Sequence, residues 1–169
     1  MHGLQAPRRA DALSRTRRLS VYIPLLATAS VVAALDQATK ELALRELSDG
    51  GVDVIEGVLT LQLTFNSGGA FGLLPGLPGF FLIATIVVVA MIVLWARRLE
   101  DGRWVIPLGL ILGGGLGNLF DRLFRDLGGR VVDFIDLHVW PVFNVADAAI
   151  TVGVVLVLIF GARRTDGEH

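Results

Sequence analysis

Asp133, Asp136 and Asp147 stand among large apolar side chains in the stretch Val131–Asp147, VVDFIDLHVWPVFNVAD, and the apolar run continues to Phe160. A carboxylate at the mouth of such a segment is costly and by default needs a functional or pairing explanation. Two partly desolvated carboxylates near one another do not both ionise easily, so one keeps a proton and the other serves as base. A water between them can attack an amide carbonyl while the protonated partner polarises its oxygen. That chemistry requires neither a metal nor a covalent intermediate. Asp133, on the approach to an apolar helix, and Asp147, within it, are read as this pair. Asn144, three residues before Asp147, shares its helical face.

Other polar groups also gather at the ends of apolar stretches. Asp36 and Lys40 are four residues apart and share a helix face. They read equally well as an interfacial ion pair with a snorkelling lysine or as support for a site. Asn118, Asp121 and Arg122 are spaced i, i+3 and i+4 at the end of another apolar stretch. Asn66-Ser67-Gly68-Gly69-Ala70-Phe71 contains glycines that permit backbone shapes other residues resist, and Asn66 is able to bond an extended peptide. A plain turn explains this segment equally well.

Competing chemistries remain open on the residues alone. No GxSxG occurs and His138 is the single central histidine, which disfavours a serine–histidine hydrolase. Ser67 with Lys40 would make a serine–lysine pair. The aspartates would suit Mg²⁺ and phosphoryl transfer. A transporter using Asp36 and Asp147 as coupling sites is a non-enzymatic reading.

The elements that must position these groups are apolar. The chain has 169 residues, 53% of them hydrophobic, and a mean hydropathy of +0.65. Soluble domains are less apolar. The length suits one compact unit. A net charge of −1 gives no field that points to nucleic acid. The absence of cysteine excludes disulfides, thiolate metal sites and a cysteine nucleophile.

Residues 1–20, with Arg8, Arg9, Arg15, Arg17 and Arg18, read as a disordered basic tail. Val21–Leu35 is apolar and suits an uncleaved first span, extended to about Leu44, better than a signal peptide. Leu59, Leu61, Leu63 and Phe65 alternate with Thr60, Gln62 and Thr64, the pattern of a half-buried strand. With turn signals at Gly50-Gly51 and Gly68-Gly69, this predicts a small external β element over about 52–70. Further spans are expected at about 79–96, 104–120 and 142–162, with Trp95 as an interface anchor. Gly109, Gly113 and Gly117 form a small-residue stripe for close helix packing. Leu123–Arg130 reads as a polar loop and residues 163–169 as a second tail. The fold class is therefore an all-α membrane protein with four transmembrane helices and a small β element between helices 1 and 2.

Ten lysines and arginines fall in the two tails and the second loop, against five in the first and third loops. The positive-inside rule then puts both termini in the cytoplasm and every polar cluster above on the external side.

Five short motifs add a resemblance. They are Asp36-Gln37-Ala38-Thr39-Lys40, the Asn66–Phe71 segment, Gly117-Asn118-Leu119-Phe120-Asp121-Arg122, Val131-Val132-Asp133-Phe134 and Phe143-Asn144-Val145-Ala146-Asp147. Together and in this order they resemble the lipoprotein signal peptidase (signal peptidase II) family, aspartic peptidases of bacterial inner membranes. The resemblance implies removal of the signal peptide from diacylglyceryl-modified prolipoproteins, just before the lipidated cysteine. It places the catalytic pair on Asp133 and Asp147. Asp36, Lys40, Asn66, Gly68, Asn118, Asp121, Arg122 and Asn144 become supporting or substrate-contacting residues. No cofactor or metal is implied, the partners are prolipoproteins and membrane lipids, and the expected state is a monomer. Asp136 matches no motif. The basic tail and the Leu123–Arg130 loop are longer than the family requires.

Overall fold

The computed structural model describes residues 5–67, 78–96 and 102–165. Gly68, Gly69, Arg97 and Arg98 lie outside the described residues, so the turn and the anchoring arginines expected there are not described. Helix α1 spans Gln5–Glu46, β1 Val52–Ile55, β2 Leu59–Asn66 and α2 Pro78–Ala96. A short 3-10 turn, Gly102–Trp104, leads into α3, Val105–Phe124, followed by β3, Val131–Asp136, and α4, Val145–Thr165. Three of these helices are long and apolar enough to cross a membrane, over Ser20–Glu46, Gly102–Phe124 and Val145–Ala162. In α2 the apolar segment Leu82–Trp95 is shorter.

Helix α3 lies at the centre and packs against α1, α2 and α4. The glycine stripe explains how. A side chain at Gly109 would meet Thr28, one at Gly113 would meet Ala29 and Val32, and one at Gly117 would meet Asp36. All three therefore face α1, and the two backbones approach as closely as the small residues allow. Gly114 faces Ala146 on α4 in the same way. Val21, Leu25 and Ala29 of α1 pack with Ile92 of α2 and with Val105, Leu108 and Leu112 of α3 in one buried cluster. On α2 and α4, Phe80, Ile83, Met91, Leu94, Val152, Val155 and Leu158 remain exposed. Such broad apolar surfaces on a folded chain mark contact with another apolar phase.

The structure corrects four expectations. The tail is helical from Gln5, because alanine, leucine and arginine are strong helix formers. Helix α3 ends with Asp121 and Arg122 in its last turns, as their spacing suggested, but continues to Phe124, so the loop is shorter than Leu123–Arg130. Helix α4 begins at Val145, not at 142. The β element also has a third strand, contributed from between α3 and α4. The sheet order is β1-β2-β3, antiparallel throughout. Val131–Phe134 is buried on both faces, so β3 reads as an unbroken apolar run without the alternation of a half-buried strand. A second cluster fastens the sheet to α1: Ala43 and Leu47 pack with Phe134, Leu61, Leu63 and Ile135.

Candidate active site

The sheet brings the first two candidate residues together. Thr64 pairs with Asp133 and Asn66 with Val131, which sets Asn66 diagonal to Asp133. Asn66 Nδ2 donates to Asp133 Oδ2 at 2.8 Å. On the other edge of β3, Phe143 exchanges backbone hydrogen bonds with Ile135, and its carbonyl also accepts from Phe134. That contact delivers the next residue, Asn144, to Asp133: its Nδ2 donates to Asp133 Oδ1 at 2.6 Å.

Asn144 also starts α4. Its Oδ1 accepts from the backbone N–H of Asp147 at 2.9 Å, and Asp147 Oδ2 accepts from the N–H of Asn144 at 3.4 Å. This is a reciprocal capping box with asparagine and aspartate in its two positions. It holds the Asp147 carboxylate in the first turn of α4, where the helix dipole favours negative charge. Asp36 satisfies a further orphan donor there, accepting from Ala146 N–H at 2.9 Å. One asparagine thus touches both carboxylates of the expected pair.

Behind this pair lies a buried ion cluster. Lys40 is fully buried and does not snorkel. Its ammonium meets Asp36 at 2.7 Å, Asp121 at 2.9 Å and Asn118 Oδ1 at 3.0 Å. An ammonium has three donors, and all three are used. An ammonium held in this way has no lone pair to accept a proton from Ser67, which disfavours the serine–lysine reading. Asn118 relays the cluster to the pair: its Nδ2 donates to Asp147 Oδ1 at 2.8 Å and its Oδ1 accepts from Asn144. Asp121 Oδ2 accepts from Val132 N–H at 3.1 Å, which pins the start of β3 beside the end of α3. Arg122 donates to the Asn118 carbonyl, and its guanidinium lies within electrostatic reach of Asp147, Asp133 and Asp121. Its Nε is buried with no hydrogen-bond partner.

Asp133 is 1% exposed. Burial, reinforced by the charge of Asp147, raises its carboxyl from 3.8 to about 7, against the hydrogen bonds of Asn66 and Asn144 and the charge of Lys40. Among the described residues, no group of three or more His, Asp or Glu side chains is arranged to hold a metal ion.

Gathered here are Asp36, Lys40, Asn66, Asn118, Asp121, Arg122, Asp133, Asn144 and Asp147; Gly68 lies outside the described residues. Two participants escaped the sequence reading. Gln37 bonds Asp36, Asp121 and the Gly117 carbonyl. Arg125 bonds Asp121 at 2.9 Å and reaches Gln37 and Glu41. The Asp121–Arg125 spacing of four was a usable signal, hidden by reading Leu123–Arg130 as a loop. Asp136, which no motif marked, is also buried and engaged.

The chain is similar to known proteins over most of its length. The family model described as signal peptidase (SPase) II matches residues 28–163. A protein of Mycobacterium leprae named lipoprotein signal peptidase is 44% identical, over 89% of this chain and 75% of its own length. One of Geobacillus kaustophilus with the same name is 43% identical, over 78% of this chain and 88% of its own. A solved structure of a bacterial membrane enzyme superposes with a TM-score of 0.74 at 32% identity, covering 86% of this chain and 91% of the other. The match spans every polar residue of the buried cluster and both halves of the sheet, so the chain belongs to the signal peptidase II family and is a membrane peptidase.

Proposed function

We infer that this chain removes signal peptides from lipid-modified prolipoproteins, with Asp133 and Asp147 as the catalytic pair. The observation that carries this reading is that Asn144 donates to both carboxylates, to Asp133 from its Nδ2 and to Asp147 from its backbone N–H, with Asp133 buried and raised to about 7. Charge balance supports it. Four carboxylates, Asp36, Asp121, Asp133 and Asp147, meet three cations, Lys40, Arg122 and Arg125. A single proton shared by the pair brings this cluster to neutrality, which is the condition for burying it at tolerable cost.

The reaction then runs as follows. The ionised carboxylate takes a proton from a water held between the two aspartates. The water oxygen bonds to the carbonyl carbon just before the lipidated cysteine, while the protonated partner donates to the carbonyl oxygen. The C–N bond breaks and the proton passes to the leaving amine. Asn66, Asn118 and Asn144 hold the carboxylates without contributing charge. The Arg122 guanidinium lies within electrostatic reach of both aspartates and offsets their charge.

The substrate's acyl chains stay in the lipid and its signal helix spans the bilayer. Both fix the depth of the scissile bond before chemistry starts, which is the entropic gain of proximity. The protein acts as a monomer in the bacterial inner membrane, with both termini cytoplasmic and the pair near the external face. No cofactor takes part.

The test is to incubate the purified protein with a lipidated precursor and with its unlipidated counterpart. Cleavage of the lipidated form alone, abolished by Asp133→Asn and by Asp147→Asn, is expected. Equal turnover of both forms would refute the requirement for lipid, and activity in either variant would refute the pair.

A further inference from the structure

Asp136 stands on the same strand as Asp133 and is just as occupied. Its Oδ1 accepts from the backbone N–H of His138 at 2.7 Å, and its Oδ2 accepts from Gln62 Nε2. Gln62 lies at the one irregular point between β2 and β3. The strands pair at Leu61 with Ile135 and again at Thr64 with Asp133, so Gln62 and Leu63 together face Phe134. One extra residue on β2 makes this a β-bulge. A bulge interrupts the ladder of backbone hydrogen bonds at this point, and a slip of one residue would carry Asp133 to the opposite face of the sheet.

Side chains hold the strands beyond the bulge. His138 leaves β3 with φ 59°, a left-handed conformation that the Asp136 side chain secures through the His138 N–H. Its Nε2 lies 2.9 Å from Thr60 Oγ1, which donates to Asp53 Oδ1 at 2.6 Å. A chain of contacts therefore runs from Asp53 on β1 through Thr60 on β2 and His138 to Asp136 on β3, which Gln62 of β2 meets separately. Alternation along β3 turns Asp136 to the face opposite Asp133.

We propose that the Gln62–Asp136 hydrogen bond is a register lock, which fixes β3 across the bulge so that Asp133 meets Asn66 and Asn144. Gln62 and Asp136 are then positioning residues, acting on the reaction through the strand. This rests on Asp133 being half of the catalytic pair. The effect is large because a misplacement of about 1 Å can cost on the order of 100-fold in rate.

Isosteric exchanges test the lock in the full-length protein with lipidated precursor. Gln62→Glu sets two carboxylates against each other across the strands, an arrangement that loosens the pairing. Its kcat should fall about tenfold or more with a smaller change in KM. Asp136→Asn should lose less, because Gln62 can turn its amide over to present an acceptor. The double exchange Gln62→Glu with Asp136→Asn restores the donor–acceptor pair in reverse, at the native net charge, and should recover most of the lost kcat. Gln62→Ala deletes the donor without adding charge, and should lower kcat in the same way should the charged variant fail to fold. Native activity in both Gln62 variants, or no recovery in the double exchange, would overturn the lock. A failure of the catalytic-pair reading would look different, since Asp133→Asn would then still cleave.

Discussion

Replacing Asp133 by asparagine should abolish cleavage and stabilise the protein at the same time. Asparagine is isosteric with the protonated acid, and Asn66 can turn its amide to present an acceptor. The native carboxyl is raised from 3.8 to about 7, so between those values the folded state binds more protons than the unfolded state. The sign follows directly. The contribution of Asp133 is fully present below 3.8 and is lost as pH rises through about 7. At roughly 1.4 kcal/mol per pKa unit, the native protein gives up about 4 kcal/mol across this window, and the asparagine variant does not. Thermal unfolding of both proteins in detergent, at pH 4 and at pH 8, measures this. The two should unfold at similar temperatures at pH 4, and the variant several degrees higher at pH 8. A variant that is less stable at pH 8, or equally displaced at both values, would refute the view that Asp133 is held in a desolvated, strained state for the reaction.

Lys40→Met should destabilise the fold by about 3–5 kcal/mol, because it leaves Asp36 and Asp121 buried without their shared cation. Combining it with Asp36→Asn should recover part of the loss, read as the unfolding temperature of the double variant. Gly117→Ala would place a methyl group 2.5 Å from Asp36 Oδ2, and overpacking at such a site costs about 1–3 kcal/mol; protein level and cleavage rate should both drop. Cleavage should survive excess EDTA, and recovery of a lost activity by Mg²⁺ would move the cluster into metal chemistry. A reporter active only outside the cytoplasm should respond when fused after Ser48 or Gly128 and stay silent after Asp101 or Arg164; the reverse pattern would overturn the orientation.

Much of this protein was legible because its signals are local. Asp36 and Lys40 meet across one helical turn, as their spacing required. The glycine stripe packs a neighbouring helix, and the alternation over Leu59–Phe65 makes β2. The short motifs marked almost every polar residue of the cluster. Tertiary structure decided the rest, because the site is assembled from groups far apart in the chain. Lys40 bonds a residue 78 positions away and Asp36 caps a helix 110 positions away. No periodicity records such partners, so the spacing of Asp36 and Lys40 served a surface pair and a buried anchor equally well. Burial on both faces erased the alternation that would have revealed β3. Asp136 looked idle for a similar reason: its partner Gln62 sits on another strand, at a bulge that only the pairing of β2 with β3 creates. Local spacing chose the residues, and the long-range close approach at Gly117, together with the third strand, chose which atoms they meet.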